Sequence, residues 1–424
     1  MSRNYVTIST DTHCGADLKA YKPYLEKKYH DEFDAWAETF TDPWRDIDEL
    51  APADYKMGVA SFMADVNWDS QKRQARLEEQ GIVAEVLFPN TVPPFFPSGL
   101  ISAPAPASPP RDRAEYERRF AGLRAHNRWV ADFARELPGR RVGLAQVFLS
   151  DVDDTINEVK RAREDGLAGI LLPADHNNQL QSVYYAKYEP LWALLEDLGM
   201  SIGRHGVLSA EPNSPETGNS AAIGTLEALF FARRVITSFI IGGIFERHPN
   251  LKFVITEACA AWAPGFVATM DGFIDDASIP GTLANMVSAG AVRELKRKPS
   301  EYFAENCFIG SFLTDPDIAM RHQVGVDRIM WGSDFPHHEG TSPHTRKALR
   351  RNFAGVPEDE VRMMLGGTAA SVYGFDLEFL QTVADRLGPT VDEVAQPLPP
   401  QDTPAYPNES VCPTFVGAYA FESG

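Results

Sequence analysis

The chain has 424 residues, a formal net charge of −19, 44% apolar residues and 23% charged residues. That composition supplies a full hydrophobic core and excludes a wholly disordered chain. The acidity, with no Lys/Arg run to offset it, repels a phosphate backbone and excludes nucleic acid as a partner.

Residues 5–9 are rich in β-formers and run into Thr10-Asp11-Thr12-His13, which sets Asp11 and His13 at or just past the end of a first strand. Residues 15–70 mix aromatics, Pro and both charges without periodicity and read as a long insertion, a lid or partner contact over one face. A helix over 69–79 and a strand over 82–88 follow. Residues 91–110, rich in Pro, Ser and Ala, read as a surface loop, and 113–137 as a long amphipathic helix.

The alternation continues with a strand over 142–148, a helix over 153–164, a strand over 168–172, a helix over 189–198 ending at Gly199, and a strand over 201–204. Further strands are predicted at 253–256, 308–311 and 328–331, with helices at 222–246, 294–303, 315–322 and 345–354. Eight strands interleaved with helices predict an α/β fold, a closed (β/α)8 TIM barrel over residues 1–380. A doubly wound nucleotide-binding sheet would carry a Gly-rich turn where this chain has Asp11-Thr-His-Cys-Gly15. Residues 381–424 are expected as a C-terminal helix and a Pro-rich extended arm that clasps a second subunit, in a homodimer, a larger oligomer or a hetero-assembly. No apolar stretch reaches the length of a signal core or a membrane span, so no membrane partner is expected. Cys14, Cys259, Cys307 and Cys412 form no C-x-x-C pair, which fits a reduced, cytoplasmic setting.

Metal ligands in a barrel converge from separate strand ends, and residues at i and i+2 of a strand share a side. Asp11 and His13 have that spacing and offer a carboxylate and an imidazole, donors suited to zinc, manganese or iron. His205 follows a short apolar strand directly; its plain reading is a buried histidine bonded to backbone. Asp334 follows a β-run that stops at Gly-Ser, and the Phe-Pro-His-His after it argues against a helix N-cap.

The order of these motifs resembles the amidohydrolase superfamily, in particular the amidohydrolase-related group containing aminocarboxymuconate semialdehyde decarboxylase and hydroxybenzoate decarboxylases. The resemblance spans nearly the whole chain. It rests on Asp11-Thr-His13, Arg76-Leu-Glu-Glu-Gln-Gly-Ile82, His126-Asn-Arg-Trp129, His205, His248-Pro-Asn-Leu-Lys-Phe-Val254, Trp262-x-Pro264 and Trp331-Gly-Ser-Asp-Phe-Pro-His337. It implies metal ligation by Asp11, His13, His205 and Asp334, with Asp334 also handling a proton. Two departures stand out: Glu257 occupies the place after the sixth strand where many members carry a histidine, and the fourth strand lacks the lysine that bridges two metals in binuclear relatives.

Glu257 therefore reads as a partner orienting His205, a proton-transfer carboxylate, or a ligand to a second ion. His337 and His338 lie close enough to Asp334 for a turn to swing one of them back to the metal, the other facing solvent. Arg204, Arg76 and Trp262 are candidates for contact with a substrate carboxylate or for a pocket wall, structural ion pairs and core packing being their plain alternatives. The resemblance implies hydrolysis or non-oxidative decarboxylation of a small, carboxylate-bearing organic substrate on one ion of zinc, manganese or iron, with Asp334 and His205 carrying the chemistry; Glu257 joins them as a catalytic candidate on the reading of this chain's own residues. A dinuclear iron or manganese oxygenase is the alternative if Glu257 and a histidine bind a second ion, and an inactive barrel subunit of a larger assembly is the other.

Overall fold

The computed structural model describes residues 3–40, 65–90, 93–96, 110–173, 182–206 and 219–416. Short apolar runs separated by amphipathic helices pair in chain order into one eight-stranded sheet. The strands are β1 Ile8–Cys14, β2 Ala84–Pro89, β3 Arg141–Gln146, β4 Gly169–Leu171, β5 Ser201–His205, β6 Phe253–Thr256, β7 Cys307–Ser311 and β8 Ile329–Trp331. Every neighbouring pair from β1 to β8 is parallel. The residues after β8 close the ring. Gly332 N–H donates to the Ser311 carbonyl (2.8 Å), Asp334 N–H donates to the Asp11 carbonyl (2.8 Å), and Phe335 bridges Thr12. A side chain at position 332 would stand 2.6 Å from Asp11 Cβ, so the closure requires glycine there.

Capping residues start the helices where the sequence placed them. Asp69, Asp112 and Asp151 accept from backbone N–H groups at the heads of Ser70–Glu79, Arg113–Arg135 and Val152–Glu164. Ile8, Val86, Leu144, Val254 and Met330 share one apolar cluster with Ala369, Val372 and Leu380. Gly366 lies against the Val6 carbonyl, so these late helices close the end of the barrel where the strands begin. The opposite, C-terminal end is left for the site.

Several boundaries differ from the sequence reading. β1 begins at Ile8, not residue 5, and keeps Asp11 and His13 inside the strand; its register slips between Ser9 and Thr12. The helix expected over 222–246 is two, Asn219–Ile241 and Ile244–Arg247, divided where Gly243 takes φ 70°. Ala263–Ala277 and Leu283–Glu294 are further helices, and the one expected over 294–303 begins instead at Pro299, where Glu301 accepts from Lys298 N–H.

The described part of the 15–70 insertion wraps the flank of the barrel. Tyr21 and Phe33 join Ala125 and Trp129 of Arg113–Arg135 in one cluster, and Tyr21 Oη hydrogen-bonds His126 Nδ1 at 2.8 Å. Residues 41–64 and most of the 91–110 loop lie outside the described residues. The Pro-rich arm, as far as residue 416, packs on its own barrel: Arg350 donates to the Gln396 and Pro397 carbonyls, and Thr414 Oγ1 donates to the Leu313 carbonyl. Among the described residues no helix is long and apolar enough to cross a membrane.

Candidate metal centre

His13, His205 and His337 each have one ring nitrogen fixed by an acceptor, which decides what the other nitrogen presents. His13 Nδ1–H donates to the Pro89 carbonyl (3.1 Å) and His205 Nδ1–H to the Gly206 carbonyl (2.9 Å). His337 Nε2–H donates to Asn90 Oδ1 (3.0 Å), and Asn90 Nδ2 in turn donates to Asn67 Oδ1 (2.7 Å), which sets the amide's orientation. The remaining nitrogens all face carboxylate oxygens. His13 Nε2 lies 3.4 Å from Asp11 Oδ1 and 3.2 Å from Asp334 Oδ1; His205 Nε2 lies 3.3 Å from Asp11 Oδ1; His337 Nδ1 lies 3.1 Å from Asp334 Oδ1.

A nitrogen lone pair and a carboxylate oxygen at such distances repel unless positive charge sits between them. A proton on one ring meets that need at one point. A divalent cation meets it for the whole group, in the manner of metal-bound imidazoles whose second nitrogen is held by a carbonyl. Asp11 and Asp334 are fully buried, yet among the described residues Asp11 Oδ2, His13 Nε2 and both oxygens of Asp334 have no hydrogen-bond partner. The atoms of Asp11, His13 and His205 lie within 4.8 Å of one another, as do those of His13, Asp334 and His337. The nitrogen and oxygen donors, without thiolate, fit manganese, iron or zinc.

The titration of the cluster expresses the same demand. Burial opposes a charge on His13, but the carboxylates of Asp11 and Asp334 beside it outweigh it and raise its pKa to about 10. Burial acts upward on Asp11 too, and His13 and His205 overcome it and hold that carboxyl far below the usual range. Asp334 is held low against burial, chiefly by His337 and His13. Burial, then the charge of His13, pushes His337 down to about 4. Burial, with Asp334 next, lifts both remaining carboxyls, Glu257 well above its ordinary value and Glu339 to about 7.

Beneath the site, the buried Glu85 on β2 accepts from Arg73 (2.7 Å), Arg141 (2.8 Å) and Thr12 (2.9 Å). Arg73 Nη1 then donates to the His13 carbonyl (2.7 Å), so this network fixes the backbone of a candidate ligand. On the other side, the chain after Asp334 turns tightly: His337 N–H donates to the Asp334 carbonyl, Gly340 N–H to the His337 carbonyl, and Thr341 N–H to the Ser333 carbonyl. A Cβ at position 340 would lie 2.6 Å from the Ser333 oxygen.

The barrel thus brings Asp11, His13, His205, Asp334 and His337 together. Glu257 faces the same space, but its Oε2 lies 3.5 Å from His205 Nδ1, farther than the Gly206 carbonyl, so backbone does the orienting of His205. Among the described residues His338 joins none of the ligand groups. Arg204 donates to the Pro173 carbonyl (2.8 Å). Arg76 does not reach the mouth: it is half-exposed in the last turn of Ser70–Glu79, paired with Glu79, at the end that leads toward the start of β2. Trp262 Nε1 donates to the Ala258 and Cys259 carbonyls and braces the turn that carries Glu257. Sequence reasoning missed Glu339 and Asn90. Glu339 reaches the site only through the turn closed at Gly340, and Asn90 only through the ending of β2 beside β1; the one local signal was a carboxylate following the His-His pair.

Fold and site together define a (β/α)8 barrel with buried carboxylates and imidazoles gathered at its mouth in groups that could hold a metal ion. The sequence model of the amidohydrolase family matches residues 89–375. The chain belongs to that family. It is 24% identical over 314 residues to the gamma-resorcylate decarboxylase of Polaromonas sp., covering 68% of this chain and 86% of that one. It is 24% identical over 341 residues to the 2-amino-3-carboxymuconate-6-semialdehyde decarboxylase of Dictyostelium discoideum, covering 78% and 85%. A solved structure of similar fold is 5-carboxyvanillate decarboxylase of Novosphingobium aromaticivorans complexed with manganese and 4-hydroxy-3-methoxy-5-nitrobenzoic acid. Its TM-score is 0.61 at 16% identity, covering 88% of this chain and 97% of that one.

Proposed function

We propose that the chain is a divalent-metal-dependent carbon–carbon lyase that removes CO2 from a small, carboxylate-bearing organic acid without an external oxidant. The observation that carries the reading is the set of buried ring nitrogens and carboxylate oxygens of Asp11, His13, His205 and Asp334, facing one another with no hydrogen bond at Asp11 Oδ2, His13 Nε2 or either oxygen of Asp334. Decarboxylation is preferred to hydrolysis because the relatives described above are named for it, and manganese because it accompanies the 5-carboxyvanillate enzyme.

Held by Asp11, His13, His205 and Asp334, with His337 beside them, the ion supplies Lewis acidity toward a substrate carboxylate or a neighbouring hydroxyl. The rest falls to the chain. Departure of CO2 leaves an electron pair on carbon, and one proton must reach that atom. Asp334 is the carrier: its oxygens accept no hydrogen bond, so it can take a proton from an acidic group of the bound substrate and return it to the carbon. With Nδ1 pinned by backbone carbonyls, His205 and His13 keep their Nε2 atoms aimed at the metal position without rearranging. A cytoplasmic enzyme working as a homodimer or larger oligomer belongs to the same proposal; that all four cysteines are free supports the reduced setting.

The test is a screen of hydroxybenzoates and unsaturated carboxylic acids with protein loaded with manganese, zinc or iron, run with and without oxygen. CO2 released one-for-one with product under nitrogen, and lost in Asp334→Asn, is the expected result. Oxygen uptake in step with product would replace this reading by the oxygenase, and turnover of esters or lactones without CO2 would replace it by hydrolysis.

A further inference from the structure

Asp334 belongs to a second grouping that the proposed reaction does not use. One carboxylate oxygen each from Glu257, Asp334 and Glu339 lies within 4.8 Å of the others. Two features place them there. Glu257 follows β6 with φ 55°, its N–H donating to the Gly310 carbonyl, and Glu339 sits in the turn closed by the Gly340 and Thr341 N–H groups.

Three carboxylates this close repel one another unless protons or a cation lie among them, and a divalent cation answers all three at once. Among the described residues none of the three pairs with Lys or Arg; their ion pairs run to His205, His13 and His337, all of which serve the first group. The independent observation is Asp334 itself. It is fully buried, and among the described residues neither of its oxygens accepts a hydrogen bond. An ion held by His13 and His337 accounts for Oδ1, which both rings face; Oδ2 is left without a partner.

We propose that Glu257, Asp334 and Glu339 form a second divalent-cation site, with Asp334 shared between it and the first. Its donors are all carboxylate oxygens, so it selects a hard ion, manganese, magnesium or ferrous iron, over a thiophilic one. The inference rests on the first site being real. An ion there also occupies the oxygen of Asp334 that proton transfer needs, so the doubly loaded centre is not the decarboxylating form.

The test uses full-length protein stripped with chelator and titrated with Mn(II). Bound ions are counted by calorimetry and elemental analysis, and the electron paramagnetic resonance spectrum is recorded. The expected result is two manganese ions per chain with an exchange-coupled spectrum, falling to one uncoupled ion in Glu339→Gln and in Glu257→Gln. Glu339 lies in the turn after β8 and not in a strand, so Glu339→Gln remains decisive if Glu257→Gln does not fold. One ion per chain in the parent, unchanged by Glu339→Gln, overturns the second site and leaves the first standing. No bound ion overturns both, and two uncoupled ions overturn the sharing of Asp334.

Discussion

Replacing Glu85 by glutamine removes one charge from a place water does not reach. Glu85 is 1% exposed and lies between Arg73 and Arg141, and these two guanidinium groups overcome the cost of burial and hold its pKa at about 2 against an ordinary 4.5. A shift of that size corresponds to roughly 3 kcal/mol of folded-state stabilisation, the scale expected when one partner of a buried ion pair is lost. Because the folded pKa lies below the unfolded one, the contribution is complete above about pH 4.5 and is lost as pH falls toward about 2. Urea unfolding of metal-free protein, followed by circular dichroism, should therefore show Glu85→Gln less stable by about 3 kcal/mol at neutral pH, with the gap narrowing below pH 4.5. Arg73 also holds the His13 carbonyl, so metal affinity should fall about 10- to 100-fold. A variant as stable as the parent at neutral pH, or a deficit that does not change with acid, would refute this assignment of the network.

Asn90→Ala should release His337 and weaken metal binding by about 10- to 100-fold with little change in fold, read by competition with a fluorescent chelator. Since paired carboxylates keep a proton on His13 up to about pH 10, metal binding should expel it. The apparent affinity should then rise about tenfold per pH unit through the neutral range, and calorimetry in buffers of different ionisation enthalpy should count one proton released; a pH-independent affinity would contradict the pairing. Gly332→Ala places a Cβ 2.6 Å from that of Asp11 and should cost about 1–3 kcal/mol together with stoichiometric metal, measured by thermal unfolding and elemental analysis.

The barrel was legible because its strands are runs of β-branched and aromatic residues set between capped amphipathic helices, and that alternation admits few topologies. β1 was placed too early because Thr10, Asp11, Thr12 and His13 are polar, yet the strand continues through them by pairing with β2 and by the Thr12–Glu85 hydrogen bond. The helices Ala263–Ala277 and Leu283–Glu294 were missed, and among their side chains Leu283 and Met286 stand largely exposed, so no polar face marks the pattern. At the site, candidate ligands that extend strands could be read from local sequence. Glu339 could not: its approach depends on a turn whose carbonyls crowd Gly340, a tertiary fact with no periodicity behind it. Arg76 looked available because charge and motif carry no information about which end of the barrel a helix residue faces.

Elemental analysis of the purified chain beside Asp11→Ala, His13→Ala and Asp334→Ala bears most directly on whether these side chains share a metal. At least one tightly held divalent ion per parent chain is expected, lost from each variant while far-UV circular dichroism still reports the barrel. A parent without metal, or three variants that keep as much as the parent, would contradict the assignment.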